Sequence, residues 1–336
     1  MQALQRIATH GHEEVLIVQD AASGLRGVLA IHDARPGPAL AATRLQPGAS
    51  LDDALLEAVG LSEALTREGA AAGLPHGGAA AVFVGPAAAE KSRPLLAAYG
   101  RLLDRLDGRA LAVADIGFES RDLTVLARIT RHVSHRRAAN LDSAELTALG
   151  VLEGIRAAAE ELGTTLDAIH VAVQGLGQVG YRLARHLAGA GVRLTVADLD
   201  AGRVERARDE LGAATAAAAD IADVEADVFS PNGSSRGIDV AAAERLRCRA
   251  VVGGARWVLA DPEAAERLHT RGVLYAPDCL AAAGALAATP DDDEMAVQER
   301  VADVGTRLRT LWARARANGV SPQRAADEMV ASRPRL

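Results

Sequence analysis

The stretch His170-Val-Ala-Val-Gln-Gly-Leu-Gly-Gln-Val-Gly180 decides the fold. His170–Val173 reads as a short buried strand, and residues near Val179–Ala190 carry helical periodicity. Between them stands Gly175-x-Gly177-x-x-Gly180. Gly175 permits the tight turn, Gly177 lets the backbone approach a pyrophosphate, and Gly180 lets helix pack closely on strand. The helix N-terminus, with Gln178 and Val179 in its first turn, adds free N–H groups for phosphate. A second strand, Arg193–Ala197, ends at Asp198, 23 residues after Gly175. Its carboxylate suits the hydroxyls of an adenine ribose and favours NAD over NADP. Arg203, placed on the following helix, is the residual argument for a 2′-phosphate.

Working outward, strands and helices alternate strictly. A helix near Ala144–Leu162 leads in, and further strands are expected at Asp227–Phe229, Ala250–Val252 and Val273–Tyr275. Helices near Ala201–Leu211, Val240–Leu246 and Pro262–Arg271 separate them, which is the order of βαβ units in a parallel sheet. Pro231 and Asn232, just past the third of these strands, join the expected cofactor residues. The tail from Asp291 starts acidic and continues as helix.

The first part of the chain is mixed α/β. Val15–Val18, Val28–Ile31, Leu40–Arg44, Ala81–Val84 and Ala110–Val113 read as strands. Ser50 with Asp52 and Asp53 marks a helix start, followed by an apolar stripe through Leu55, Val59, Leu61 and Leu65. Gly77-Gly78 reads as a break before the fourth strand, and Asp115 ends the fifth. The expected organisation is a substrate and oligomerisation domain over 1–143, a dinucleotide-binding domain over 144–290, and C-terminal helices over 291–336 packing back on the body.

Composition narrows function. The 336 residues are 49% hydrophobic and 24% charged, a globular composition, and the formal net charge of −7 disfavours generic nucleic-acid or anionic-membrane binding. Aromatics make up only 2%, too few for a base-stacking single-strand binder. Two cysteines without paired spacing, no signal-peptide core and no long apolar run imply a reducing cytoplasm. His132 and His135 have i, i+3 spacing but no third ligand, so no metal site is expected. Lys91 is the only lysine among 37 basic residues. A mechanism requiring two catalytic amines is thereby excluded.

The blocks Ser23-Gly-Leu-Arg-Gly-Val-Leu-Ala-Ile-His-Asp33, Gly37-Pro-Ala-Leu-Ala-Ala-Thr-Arg44, Ala72-Gly-Leu74, Gly77-Gly78, Asp115-Ile-Gly117, Val173-Gln-Gly-Leu-Gly177 and Tyr275-Ala-Pro-Asp278 stand in one order along the chain. With them it resembles the glutamate/leucine/phenylalanine/valine dehydrogenase family, leucine dehydrogenase branch. The resemblance implies an N-terminal substrate domain, a C-terminal Rossmann domain and a cleft between them. It also implies a homo-oligomer and NAD-dependent oxidative deamination of an amino acid. In the family a lysine binds the substrate carboxylate, a second lysine assists through water, an aspartate handles protons and an asparagine helps hold the carboxylate. Carried over one at a time, the first lysine position holds Glu68, the second Ala80, and the asparagine position Trp257. The aspartate is kept as Asp115. A later family asparagine becomes Ala282, and Thr147 matches a threonine beside the nicotinamide. Leu40, Leu65 and His76 complete the implied pocket.

With Glu68 and Asp115 in place of amines, that pocket would be anionic and suited to a cationic iminium or protonated amine. The two carboxylates would raise one another's pKa, and Trp257 would fill the vacated volume. The resulting expectation is an NAD-dependent oxidoreductase acting on an amine or imine C–N bond. The alternatives are a catalytically inactive NAD-binding subunit, beside an active paralogue, and conventional amino-acid oxidation using Arg67. Each residue also has a plainer reading: Asp115 as a strand-end cap, Glu68 as a solvated helix residue, His76 as a surface histidine.

Overall fold

The computed structural model describes residues 2–85, 91–134, 142–233, 237–283 and 294–332. The chain divides into two compact units, Met1–Ala139 and Asn140–Ser332.

In the first unit α1 (Gln2–His10) precedes the hairpin of β1 (Glu14–Asp20) and β2 (Leu25–Asp33). β3 (Ala39–Pro47), α2 (Leu51–Ala71) and β4 (Gly77–Gly85) form a parallel crossover, followed by α3 (Arg93–Arg105), β5 (Ala110–Ala114) and α4 (Ser120–Leu126). The sheet is mixed, with order β1-β2-β4-β3-β5; β2 runs antiparallel to β1 and β4, while β3 runs parallel to β4 and β5. Alternation sorts its side chains. Ala39, Ala41, Leu45, Ala79, Ala81 and Phe83 join Tyr99 and Leu103 of α3 in one core. Tyr99 packs edge-on against Phe83 at 4.8 Å, and its hydroxyl is satisfied by Thr43 at 2.8 Å. The alternate residues Leu40, Ala42, Arg44, Gly78, Ala80 and Val82 therefore face α2.

The expected helix start at Ser50 is present as a capping box with Asp53. The expected break at Gly77-Gly78 is not. Both glycines lie inside β4, because the strand is pressed between β2 and α2. A Cβ on Gly77 would stand 1.5 Å from the Asp33 carbonyl oxygen, and one on Gly78 would stand 2.3 Å from the Ser62 carbonyl oxygen and the Thr66 nitrogen. The glycines are there for close approach of backbones, and the strand runs through them.

In the second unit α5 (Ser143–Glu161) leads into β6 (His170–Gln174), α6 (Gln178–Gly189), β7 (Arg193–Ala197), α7 (Ala201–Leu211) and β8 (Ala214–Thr215). Then come β9 (Val228–Pro231), α8 (Val240–Arg245), β10 (Ala250–Val251), α9 (Pro262–Thr270), β11 (Leu274–Tyr275) and α10 (Asp278–Ala281). All six strands are parallel, in the order β11-β10-β9-β6-β7-β8, a doubly wound Rossmann-type sheet whose direction of winding reverses beside β6. The α/β, two-domain fold read from the sequence is the observed one. The third strand of this half begins one residue later than expected and runs to Pro231. The exposed two-residue β8 had no sequence signal.

The tail forms α11 (Glu294–Ala302), α12 (Val304–Asn318) and α13 (Pro322–Ala331). α12 anchors to the sheet through buried Trp312, whose indole N–H donates to the Tyr275 carbonyl oxygen at 2.8 Å. Among the described residues no helix is long and apolar enough to cross a membrane.

Gly78→Ala places a methyl group against two backbone atoms that cannot rotate away. It is expected to destabilise the first unit by about 3 kcal/mol or more. Thermal unfolding followed by circular dichroism checks this, and an unchanged Tm would mean that α2 shifts freely.

Candidate active site

The glycine motif has the geometry that dinucleotide binding requires. Gly175 has φ +88°, and a Cβ there would lie 2.6 Å from the Gly233 nitrogen. A Cβ on Gly180 would lie 1.9 Å from the Gly175 carbonyl oxygen, so α6 rests directly on the turn. At Gly177 only an Arg203 nitrogen, 3.9 Å away, comes near the position of a Cβ. The space over the turn is open. Gly177 is also the N-cap of α6 and supplies no side chain, which leaves the first-turn N–H groups for an anion. These residues fit a pyrophosphate. Gln178 is exposed and Val179 half-buried at that helix start, where Val179 lies against Gly254.

Asp198 directly follows β7, with its carboxylate already engaged. Oδ2 accepts the Leu176 N–H at 2.6 Å and Oδ1 accepts the Asp200 N–H at 2.9 Å. The acid thus holds the glycine turn and presents its remaining lone pairs at the rim. Asn232, expected as a cofactor contact, is committed to the scaffold. Its amide nitrogen donates to the Ser230 carbonyl and hydroxyl oxygens, and its Oδ1 accepts the Gly254 N–H at 2.9 Å. That amide ties the end of β9, including Pro231, to the loop after β10. Thr147 is buried on α5, its hydroxyl donating to the Ser143 carbonyl oxygen at 2.8 Å.

In the first unit the residues expected to carry chemistry share the α2 face of the sheet. Ala80 is fully buried in the middle of β4, between Ala30 of β2 and Ala42 of β3. Leu40, Leu65 and Glu68 are buried as well, at 3%, 5% and 5% exposure, so Glu68 is not the solvated helix residue of the plainer reading. His76 is half-buried in the turn before β4, where the position of a Gly69 Cβ is 3.3 Å from its carbonyl oxygen.

Asp115 has a partner that was missed. Register places Arg44 beside it, and Arg44 Nε donates to Asp115 Oδ2 at 2.9 Å. Arg44 also reaches Glu57 of α2, which accepts from Gln46 at 2.6 Å. Burial opposes the guanidinium charge, but Asp115 and Glu57 outweigh it and hold Arg44 above its ordinary range. Glu68 lies eleven residues beyond Glu57 on α2, roughly 16 Å of helix axis. The contact that the structure gives Asp115 is a carboxylate–guanidinium one. No single sequence window contains that pair, which spans 71 residues.

A second network missed in the sequence holds α2 from behind. His32 Nε2 bonds the His10 carbonyl oxygen at 3.0 Å and must be its donor, and Nδ1 lies 2.9 Å from the Thr66 hydroxyl, which donates to the Ser62 carbonyl oxygen at 3.2 Å. Thr66 Oγ1 in turn accepts the Gly78 N–H at 3.0 Å. His10 pairs with Glu63 at 3.0 Å, and the His12 ring meets His32 edge-on at 4.8 Å. Burial, reinforced by His12, depresses the His32 pKa.

Trp257 follows β10, is 48% exposed, and lines a cavity of about 170 Å³ with Phe229, Pro231, Ile238 and Arg245. Ala282 caps the C-terminus of α10, its N–H donating to the Asp278 carbonyl oxygen at 2.9 Å. Lys91 is held by Asp122 at 2.5 Å. His132 is buried in extended backbone beside β5, and His135 lies outside the described residues. Among the described residues no group of three His, Cys, Asp or Glu could hold a metal ion.

Two family models match in sequence order. Residues 12–132 match the Glu/Leu/Phe/Val dehydrogenase dimerisation domain, and 196–291 match Glutamate/Leucine/Phenylalanine/Valine dehydrogenase. The chain is 34% identical to valine dehydrogenase of Streptomyces virginiae, over 96% of this chain and 94% of that one. It is 32% identical to leucine dehydrogenase of Geobacillus stearothermophilus, over 99% and 93%. The chain belongs to the glutamate/leucine/phenylalanine/valine dehydrogenase family. The solved L-tryptophan dehydrogenase from Nostoc punctiforme superposes with a TM-score of 0.81 at 31% identity, covering 98% of this chain and 97% of that one. Family membership makes this an amino-acid dehydrogenase relative, and leaves its substrate to be argued from its own residues.

Two outcomes are expected from these networks. A double-mutant cycle of Arg44→Ala and Asp115→Asn should show coupling of about 1–3 kcal/mol in chemical denaturation, and additivity would mean that the pair is idle. His32 binds its proton less readily in the fold than in the unfolded chain. The unfolded state thus takes up more protons as pH falls below the ordinary value of 6.5, and stability drops in that window. Tm measured against pH should show the decline, and His32→Gln should flatten it.

Proposed function

We propose that this chain is an NAD-dependent oxidoreductase acting at the C–N bond of an amine or imine, without the lysine chemistry that the family resemblance implies. The observation that carries the reading is the content of two positions: Glu68 and fully buried Ala80 where the resemblance places lysines. The chain's one lysine, Lys91, is held by Asp122. Arginine cannot stand in as a base, because it stays protonated at every working pH.

When bound, the dinucleotide supplies hydride chemistry. The remaining work belongs to this chain's side chains. In the reductive direction an iminium carbon would accept that hydride, and the nitrogen of the product amine would keep the proton it carried. Glu68 and Asp115 favour that cationic substrate, and Arg44 fixes the orientation of Asp115. Leu40, Leu65 and Ala80 supply apolar lining, and His76 is the remaining group in that set able to carry a proton. Gly175, Gly177, Gly180 and Asp198 hold the dinucleotide. The match to a dimerisation domain supports a homo-oligomer.

One observation favours a second reading, an NAD-binding subunit without turnover that works beside an active paralogue. Ala80 sits among methyl groups, and Asp115 is tied to Arg44, so neither position offers a free base. Fluorescence titration with NADH, followed by assays with leucine, valine, phenylalanine and a panel of cyclic imines, separates the readings. Binding is expected, with NADH consumption on imines that falls at least about tenfold in Glu68→Gln or Asp115→Asn. Binding without turnover on any imine selects the second reading. Robust oxidation of leucine, valine or phenylalanine overturns both, and would direct attention to Arg67.

A further inference from the structure

At the end of the second unit's sheet opposite the glycine turn lies an open groove of about 640 Å³. Five arginines line it: Arg193, Arg245, Arg247, Arg249 and Arg271. Their places in the fold explain the gathering. Arg193 is the first residue of β7, Arg249 directly precedes β10, and Arg271 is the C-cap of α9. Arg245 and Arg247 bracket the C-cap of α8. These positions lie where strands begin, whereas the glycine turn follows the far end of β6.

Part of this charge has local work. Glu225 faces Arg247 at 3.6 Å, Asp227 faces Arg249 at 3.3 Å, and Arg245 reaches Asp223 at 3.7 Å. Glu244, the third acid of the lining, is held by Arg267 from outside it. Arg271 donates to the Ala243 and Leu246 carbonyl oxygens, where a cation suits the negative end of α8. Among the described residues no carboxylate forms an ion pair with Arg271 or with Arg193. The charge of Arg193 is felt instead by His170, whose pKa is lowered by burial and lowered further by that guanidinium.

We propose that this groove binds an oligophosphate, with Arg193 and Arg271 as the two cations that meet it. Planar guanidinium groups grip phosphate oxygens bidentately and stay charged at every working pH. The Arg247–Glu225 pair at the rim is long and mostly exposed, so Arg247 is free to turn toward a stronger anion. Two cations without carboxylates, in a groove larger than one phosphate group, fit a ligand that carries several charges. The uncharged lining residues are Ala226, Leu246 and Cys248, none of them aromatic, so nothing there stacks a base. Recognition is of the phosphate chain itself, free or attached to a nucleoside.

The test is calorimetric titration of the full chain with inorganic tripolyphosphate, without and with saturating NADH. Wild type should bind with a dissociation constant below about 1 mM at low salt, and binding should weaken steeply as salt is added. Sulfate should bind at least about tenfold more weakly, and ATP within about threefold of tripolyphosphate. Arg193→Ala should weaken tripolyphosphate at least about fivefold, and Arg193→Lys should recover part of the loss. Adding Arg271→Gln to Arg193→Ala should weaken it further, and NADH affinity should stay unchanged in every variant. Circular dichroism establishes that the variants fold. The proposal is overturned if wild type binds no tripolyphosphate, or if Arg193→Ala binds it as tightly as wild type. ATP binding more than about tenfold tighter than tripolyphosphate overturns it too, because a base is then being read. Displacement of tripolyphosphate by NADH places the anion on the glycine turn, which overturns the groove as its site and leaves the dinucleotide reading intact.

Discussion

Backbone pressed on backbone, with no room for a Cβ, is the constraint on which both units are built. In the first unit β4 runs through Gly77 and Gly78 against β2 and α2. In the second, α6 rests through Gly180 on the Gly175 carbonyl. Each contact brings a helix closer to its strand than side chains would allow, and each sits at the root of a candidate site. Ala80 stands two residues beyond Gly78, and the phosphate turn lies between Gly175 and Gly180. A shift of either helix would move the residues that define the chemistry, since packed interiors transmit displacement rather than absorb it.

Around each contact a polar network holds the register. His32, Thr66 and the Gly78 N–H link α1, β2, α2 and β4 through hydrogen bonds of 2.9–3.0 Å. Asn232 does the equivalent in the second unit, joining the end of β9 to the loop after β10. Such buried groups are costly when half satisfied, and their value here is to select one arrangement of elements.

The sequence made local features legible and left long-range ones hidden, for a physical reason. The glycine turn, the Ser50 cap and the strand ending at Asp198 are written within one or two turns of chain, where periodicity and backbone preference act. Gly77-Gly78 was misread as a break, because a glycine pair in a strand signals a close approach only once the neighbouring element is known. Arg44 and Asp115 meet through a parallel register across 71 residues, and Asn232 meets Gly254 across 22. No pattern in either local stretch announces the partner. The charge inventory of the site was therefore incomplete, with Glu68 and Asp115 in view and Arg44, which joins Asp115 to Glu57, out of it.

That omission changes the meaning of Asp115. A carboxylate bonded to a guanidinium has its oxygens fixed in direction, and Arg44 Nε does this for Asp115 at 2.9 Å. This agrees with the rest of the chain's basic inventory. One lysine stands among 37 lysines and arginines, so nearly every cation is a permanently charged group that can screen, clamp or bind phosphate but cannot act as a base. Proton transfer in such a protein falls to carboxylates, histidines or the substrate itself. An iminium substrate makes the smallest demand, because hydride arrival at carbon completes the amine without a proton from the protein. The division of labour that the residues support is thus electrostatic: Arg44 joins two carboxylates in the first unit, and Asp198 holds the glycine turn of the second.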